Sequence, residues 1–293
     1  MSLALTVLEI VAPVFLLGAV GFFWVKLGHD YPLQFVTRLG MSLAIPCLIF
    51  VSLMKTEIEV TALGALSLAS LATYAIIIFV MWIIVHVSGL DRRTFLAPLI
   101  FGNTGNVGLP LALFAFGDVG LSYAVVVFAV MAFLGFTFGV WLVSGGGSIV
   151  KVVQEPLVAA TLLGGLFLWQ GWETPRFLTN TLDLIGQIGI PIMLITLGVA
   201  IARLRLSAFT QPVLLSLLKA AICSACAIAV GFWFQLDKIA FGALVLQVAT
   251  PVAVTSYMLA EKYGADSDSV AGLVFVSTLM SVVTFPILLV FLL

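Results

Sequence analysis

Apolar runs of membrane-spanning length alternate along the chain with short clusters of charged and polar residues. A bilayer core about 30 Å thick takes roughly 20 helical residues, so the runs divide into about ten spans. Their limits are 4–26, 33–53, 62–88, 92–116, 120–143, 155–170, 177–202, 208–234, 237–262 and 268–292. The connections between them are short, and no extramembrane domain is expected.

The fourth run is interrupted. Gly102-Asn103-Thr104-Gly105-Asn106-Val107-Gly108-Leu109-Pro110 sets two amides, three glycines and a proline inside an apolar stretch. Glycine and proline break the helix, and the freed backbone groups must find partners. Within a membrane such a break is tolerated only where it is buried in protein or lines a wet cavity.

A second interruption follows in the ninth run, Gln247-Val-Ala-Thr250-Pro251-Val-Ala-Val-Thr255-Ser256. The two are related by an internal repeat. Ser42-Leu-Ala-Ile-Pro46-Cys-Leu-Ile-Phe50 aligns with Gln187-Ile-Gly-Ile-Pro191-Ile-Met-Leu-Ile195 at an offset of 145 residues, and the same offset carries Asn106 onto Pro251. Paired helix breaks in internally related halves are the signature of repeat-built transporters. The glycine-rich stretch Ser144-Gly145-Gly146-Gly147-Ser148 lies almost at the midpoint and divides the chain into repeats 1–147 and 148–293. Their breaks fall near 103–110 and 247–256. Five spans per half is an odd number, so the halves must be inverted. The fold expected is an all-α membrane protein of two inverted five-helix repeats, with broken helices four and nine crossing.

Charge sets the orientation. With the N-terminus outside, the cytoplasmic ends carry Lys26, Arg38, Arg92, Arg93, Lys151, Arg203, Arg205 and Lys262, whereas the outer face receives Lys55, Arg176 and Lys238. The positive-inside bias therefore predicts both termini outside. Met1 to Phe15 lacks a positive leader region and reads as the start of a retained helix.

Composition agrees with this picture. The chain is 63% hydrophobic and 9% charged, a balance foreign to soluble globular domains. No basic stripe supports nucleic-acid binding. Cys47, Cys223 and Cys226 all fall in apolar segments and read as small buried side chains; the C-x-x-C of the latter two has no second ligand pair nearby. An intramembrane enzyme would need paired acids, a Ser/His pair or metal ligands at depth. His29 and His86 are peripheral, so no catalytic residue and no metal site is expected.

Inverted repeats bring the two breaks together. The second half-helices, starting near Asn106 and Val252, would turn unpaired N–H groups and partial positive charge toward one place. Two converging helix N-termini make an anion site, with a carboxylate as natural occupant. Asn103 and Asn106 offer amides, Thr104, Thr250, Thr255 and Ser256 offer hydroxyls, and Gly105, Gly108 and Pro251 shape the approach. The breaks carry no acid, which favours an organic anion or a neutral solute over a bare cation. Gln187 and Ser42, one turn before the prolines of the second spans, could face the crossing or satisfy kinked backbone. Asp183 is a candidate for coupling proton movement or an interface residue. Lys219 is the deepest cation, within snorkelling reach of the surface or available to neutralise a carboxylate. Glu9 and Arg38 are shallow and read as interfacial.

These residues resemble the auxin efflux carrier family of secondary transporters, which includes bacterial malate and malonate permeases and plant auxin exporters. The match is clearest at Asn103, Asn106, Gly108 and Pro110, similar to the family's N-x-x-N-x-G-x-P motif. It extends to Ala44-Ile45-Pro46 and to Pro251-Val-Ala-Val-Thr-Ser-Tyr-Met-Leu-Ala-Glu-Lys-Tyr-Gly264. The resemblance implies a fold similar to sodium–proton antiporters and bile-acid symporters, with scaffold and transport domains each drawn from both repeats. It also implies an organic anion such as malate, malonate or an auxin-like acid, held at the crossing by Asn103 and Asn106 and carried by elevator movement in the bacterial inner membrane. The alternative is a sodium-coupled symporter of the bile-acid type. No cofactor is expected; H⁺ or Na⁺ are the candidate coupling ions. The expected partners are the organic anion and the lipid bilayer, and a homodimer is one assembly open to the chain.

Overall fold

The computed structural model describes residues 3–55, 58–145, 156–203 and 210–293. Its helices are α1 (Leu3–Lys26), α2 (Leu33–Leu39), α3 (Ile45–Met54), α4 (Val60–Val87), α5 (Arg92–Ile100), α6 (Leu109–Leu134), α7 (Val140–Ser144), α8 (Pro156–Gln170), α9 (Arg176–Gln187), α10 (Gly189–Arg203), α11 (Thr210–Trp233), α12 (Lys238–Val248), α13 (Val254–Tyr263) and α14 (Ser267–Leu292). Wider π-helical turns join α2 to α3 at Gly40–Ala44, lead into α6 at Thr104–Gly108, and join α6 to α7 at Gly135–Gly139.

Seven helical stretches among the described residues are long and apolar enough to cross a bilayer: Leu5–Lys26, Leu33–Met54, Thr61–Val87, Thr104–Ser144, Arg176–Arg203, Thr210–Trp233 and Ser267–Leu292. The chain is an all-α membrane protein. The 41-residue stretch from Thr104 is not one rod, because Gly117 turns it with φ 65° and ψ −158°. Gly146, Gly147 and Ser148 of the midpoint linker lie outside the described residues, as do Lys151 and Arg205.

Contacts gather the helix ends into two groups. At one end Arg93 donates to the carbonyls of Val143 and Tyr263, Arg203 donates to the Tyr31 carbonyl, and the Asp266 N–H donates to Thr94 Oγ1. At the other, Lys55 pairs with Asp183 at 3.0 Å, the Tyr123 hydroxyl donates to Asp237, and Lys238 donates to the Leu293 carbonyl. The first group contains Arg93 and Arg203 of the positively charged ends expected in the cytoplasm.

Burial forms two apolar clusters. The larger joins α1, α4, α5, α10, α11, α12 and α14 around Leu66, Ile77, Leu244 and Phe285. The smaller packs Ile45, Ile49 and Leu53 of α3 against Leu109, Leu121, Ala124, Val125 and Phe128 of α6, with Met193 of α10. This second cluster borders both of the cavities described below. Large apolar side chains such as Leu16, Phe79, Trp169 and Ile287 remain exposed, as expected where lipid takes the place of a core.

Candidate functional site

Both interruptions are real breaks, and they meet. The Asn103 N–H donates to the Pro251 carbonyl at 2.7 Å, and Gly102 forms an isolated antiparallel bridge with Val252. Gly102 is required at this crossing, since a Cβ there would run into the Thr250 side chain.

The four half-helices are finished in two different ways. Those entering the crossing start with aspartate caps. Asp91 accepts from the Thr94 N–H at 2.9 Å, and Asp237 accepts from the N–H groups of Ile239 and Ala240 at 3.0 Å each. Those leaving it start at Thr104 and Val254, and neither has a side-chain cap on its first turn. Two helix N-termini, with the partial positive charge of their N–H groups, are thus left for another partner.

Both open onto one cavity of about 100 Å³. Its polar end is formed by Asn103, Thr104, Gly105, Asn106, Thr255 and Ser256; its apolar walls include Phe101, Phe128 and the methionines 41, 131, 193 and 258. No charged residue among those described lines it. Asn103 is 4% exposed and Thr104 fully buried, yet Asn103 Nδ2 and Thr104 Oγ1 have no hydrogen-bond partner. Buried polar groups are nearly always paired with protein or ordered water, so these two side by side are donors available to an occupant of the cavity.

Other candidates lie elsewhere. Thr250 and Pro251 face a different small space, shared with Lys219; Thr250 Oγ1 donates to the Gln247 carbonyl at 2.7 Å. Gln187 and Asp183 line a larger cavity of about 770 Å³ with Ser52, Lys55, Asp118 and Ser122, at the end opposite the Arg93 cluster. Ser42 is exposed and lines none of these spaces. Lys219 does not snorkel: it is 2% exposed, with its Nζ 3.3 Å from the Leu99 carbonyl. Glu9 and Arg38 are exposed, as their shallow positions imply. Cys47 and Cys223 are buried free thiols and Cys226 is half-buried.

Three contributors escaped the sequence reading. Gln247 is fully buried, donates to the Ala124 carbonyl at 3.2 Å, and sets its unpaired Oε1 against Gly108. Thr196 lines the first cavity and bonds the Tyr31 hydroxyl at 2.8 Å. Ser277 accepts from the Val252 N–H at 3.0 Å and so ties down the second break. Gln247 was visible as a polar residue within an apolar run; Thr196 and Ser277 carry no such signal, because hydroxyls are common in membrane helices.

A family model described as "Membrane transport protein" matches residues 6–154 and 140–289. An uncharacterized transporter of Methanothermobacter thermautotrophicus is 26% identical over 265 residues, covering 86% of each chain. Another from Methanocaldococcus jannaschii is 25% identical over 194 residues, 62% of each chain. A Rhizobium meliloti protein named "Putative malonate transporter" is 24% identical over 275 residues, covering 83% of this chain and 81% of its own.

Proposed function

The chain belongs to the membrane transport protein family, the auxin efflux carriers, and from that premise we propose that it is a secondary transporter of a small organic anion, a carboxylate, bound where the two broken helices cross. The observation that carries this reading is the pair of uncapped helix N-termini on one cavity beside the unpaired Asn103 amide and Thr104 hydroxyl. A carboxylate has two oxygens that accept hydrogen bonds from such donors. It would satisfy the amide, the hydroxyl and the free N–H groups together, and a neutral site avoids the cost of desolvating a fixed charge.

Movement would be of the elevator type, with two inverted five-span halves, 1–147 and 148–293, each giving helices to a scaffold and to a moving domain. The smaller apolar cluster supports alternating access. Phe128 and Met193 line the crossing cavity, Leu121 lines the larger one, and Ile45, Ile49, Leu109 and Val125 belong to the same cluster and line neither. The arginine-rich end would be cytoplasmic. The relative named for malonate makes that dicarboxylate the first probe.

The test is thermal unfolding and proteoliposome uptake with malonate and a panel of other carboxylates. A carboxylate should raise the unfolding midpoint of the native protein and be transported. Asn103→Ala and Asn106→Ala should insert and fold but lose both responses. Wild-type rates in both variants would remove the crossing as the binding site.

A further inference from the structure

Lys219 is a buried lysine without a carboxylate. On α11 it lies beside the crossing, where Ser216, Thr250, Pro251, Ser277 and Ser281 line a space of about 10 Å³, room for about one water-sized occupant. Among the described residues the one ion pair is Lys55 with Asp183. The Lys219 Nζ instead approaches the Leu99 carbonyl at 3.3 Å and Cys223 Sγ at 3.9 Å.

Leu99 lies in the last turn of α5, just before the break. The last carbonyls of a helix have no intrahelical donors and carry partial negative charge. Ser216 Oγ is buried and has no partner. A helix C-terminus, an unpaired hydroxyl and neighbouring hydroxyls are neutral, hard oxygen donors, the set that suits a group I or group II cation. Here the Lys219 Nζ already stands among them.

We propose that Lys219 is a built-in counterion, seated where a coupling cation would otherwise sit behind the crossing. As an ammonium it would place a positive charge beside Thr250 and Pro251, whereas the anion cavity opens at Thr104 and Val254. An inorganic monovalent cation is therefore not needed to compensate the bound anion or the end of α5. This rests on the anion-site reading only for its consequence in transport; the seat itself is testable with no organic anion present.

The experiment is thermal unfolding of purified full-length protein in choline chloride, titrated with NaCl, KCl, LiCl or methylammonium chloride at constant ionic strength. The native protein should show no saturable shift with Na⁺, K⁺ or Li⁺. Lys219→Ser, which empties the seat, should unfold at lower temperature in choline and recover saturably with one small cation. Lys219→Arg, which keeps the charge, should show no cation-dependent recovery. A native protein stabilised saturably by Na⁺ would overturn the proposal, whether or not the variant folds. So would a Lys219→Ser protein that is indifferent to every cation, or that cannot be recovered in any of them. Because no carboxylate is added, these outcomes stand apart from success or failure of the anion assignment.

Discussion

An unpaired amide at Asn103 and an unpaired hydroxyl at Thr104 cost the empty protein stability, about 1–3 kcal/mol for each buried group left without a partner. Thr104→Val keeps the shape and deletes the orphan. It should raise the unfolding midpoint of the ligand-free protein while weakening carboxylate binding; a midpoint that falls, with binding intact, would show that Thr104 is ordinary packing. Gly102→Ala should act in the opposite sense, because a Cβ would press on Thr250 at the bridge and force the two breaks apart; we expect a loss of folded yield on size-exclusion chromatography. Asp183 is half exposed in its pair with Lys55, and such pairs contribute at most about 1 kcal/mol. Asp183→Asn should leave thermal stability almost unchanged, so any altered pH dependence of transport in that variant would report coupling and not folding.

Among the elements, the contrast between capped and uncapped half-helices is the feature with most consequence. Asp237 holds the first turn of α12 and also accepts from the Tyr123 hydroxyl at 2.8 Å. Loss of such a cap costs about 1 kcal/mol, so Asp237→Ala should lower the unfolding midpoint, with Asp237→Asn recovering part of it. Asp266 caps α14 in the same manner, and its bonds from the Ser269 hydroxyl and N–H hold its carboxyl below the usual carboxylate range. A depressed folded value means this contribution is present above the unfolded pKa of about 3.9 and is lost as pH falls through the folded value. The unfolding midpoint followed by circular dichroism should therefore fall further on acidification below about pH 3.9 in the native protein than in Asp266→Asn. Helix limits were legible at this scale: hydropathy located the apolar segments, and Gly102 to Pro110 located the first break. The register of the crossing was not. The bridge is set by close backbone approach at Gly102 and Thr250, which an alignment of apolar residues cannot resolve.

Across the whole molecule, the two cavities and the smaller cluster that borders both define the access problem. Thr37 lines the crossing cavity and Ser52 the larger one, and both belong to the stretch Leu33–Met54. Cysteines placed at these two positions in a background lacking Cys47, Cys223 and Cys226 should react with membrane-impermeant thiol reagents from opposite faces of a sealed vesicle. Labelling of both from one face would sink the alternating-access reading. Sequence by itself determined that the chain lives in a membrane and is helical, because 63% apolar residues and spans of bilayer length leave no other way to satisfy the backbone in lipid. It also determined where the fourth and ninth segments fail to be helices, since glycine, proline and amides act locally. Only the tertiary structure decided which polar groups share a cavity. Asn103, Thr104, Asn106, Thr255 and Ser256 meet there, whereas Thr250 and Pro251 share a small space with Lys219, Gln187 and Asp183 line a separate cavity, and Ser42 is exposed and lines none of them. That choice depends on the crossing of segments some 150 residues apart and on the face each turns inward, neither of which any local pattern of residues encodes.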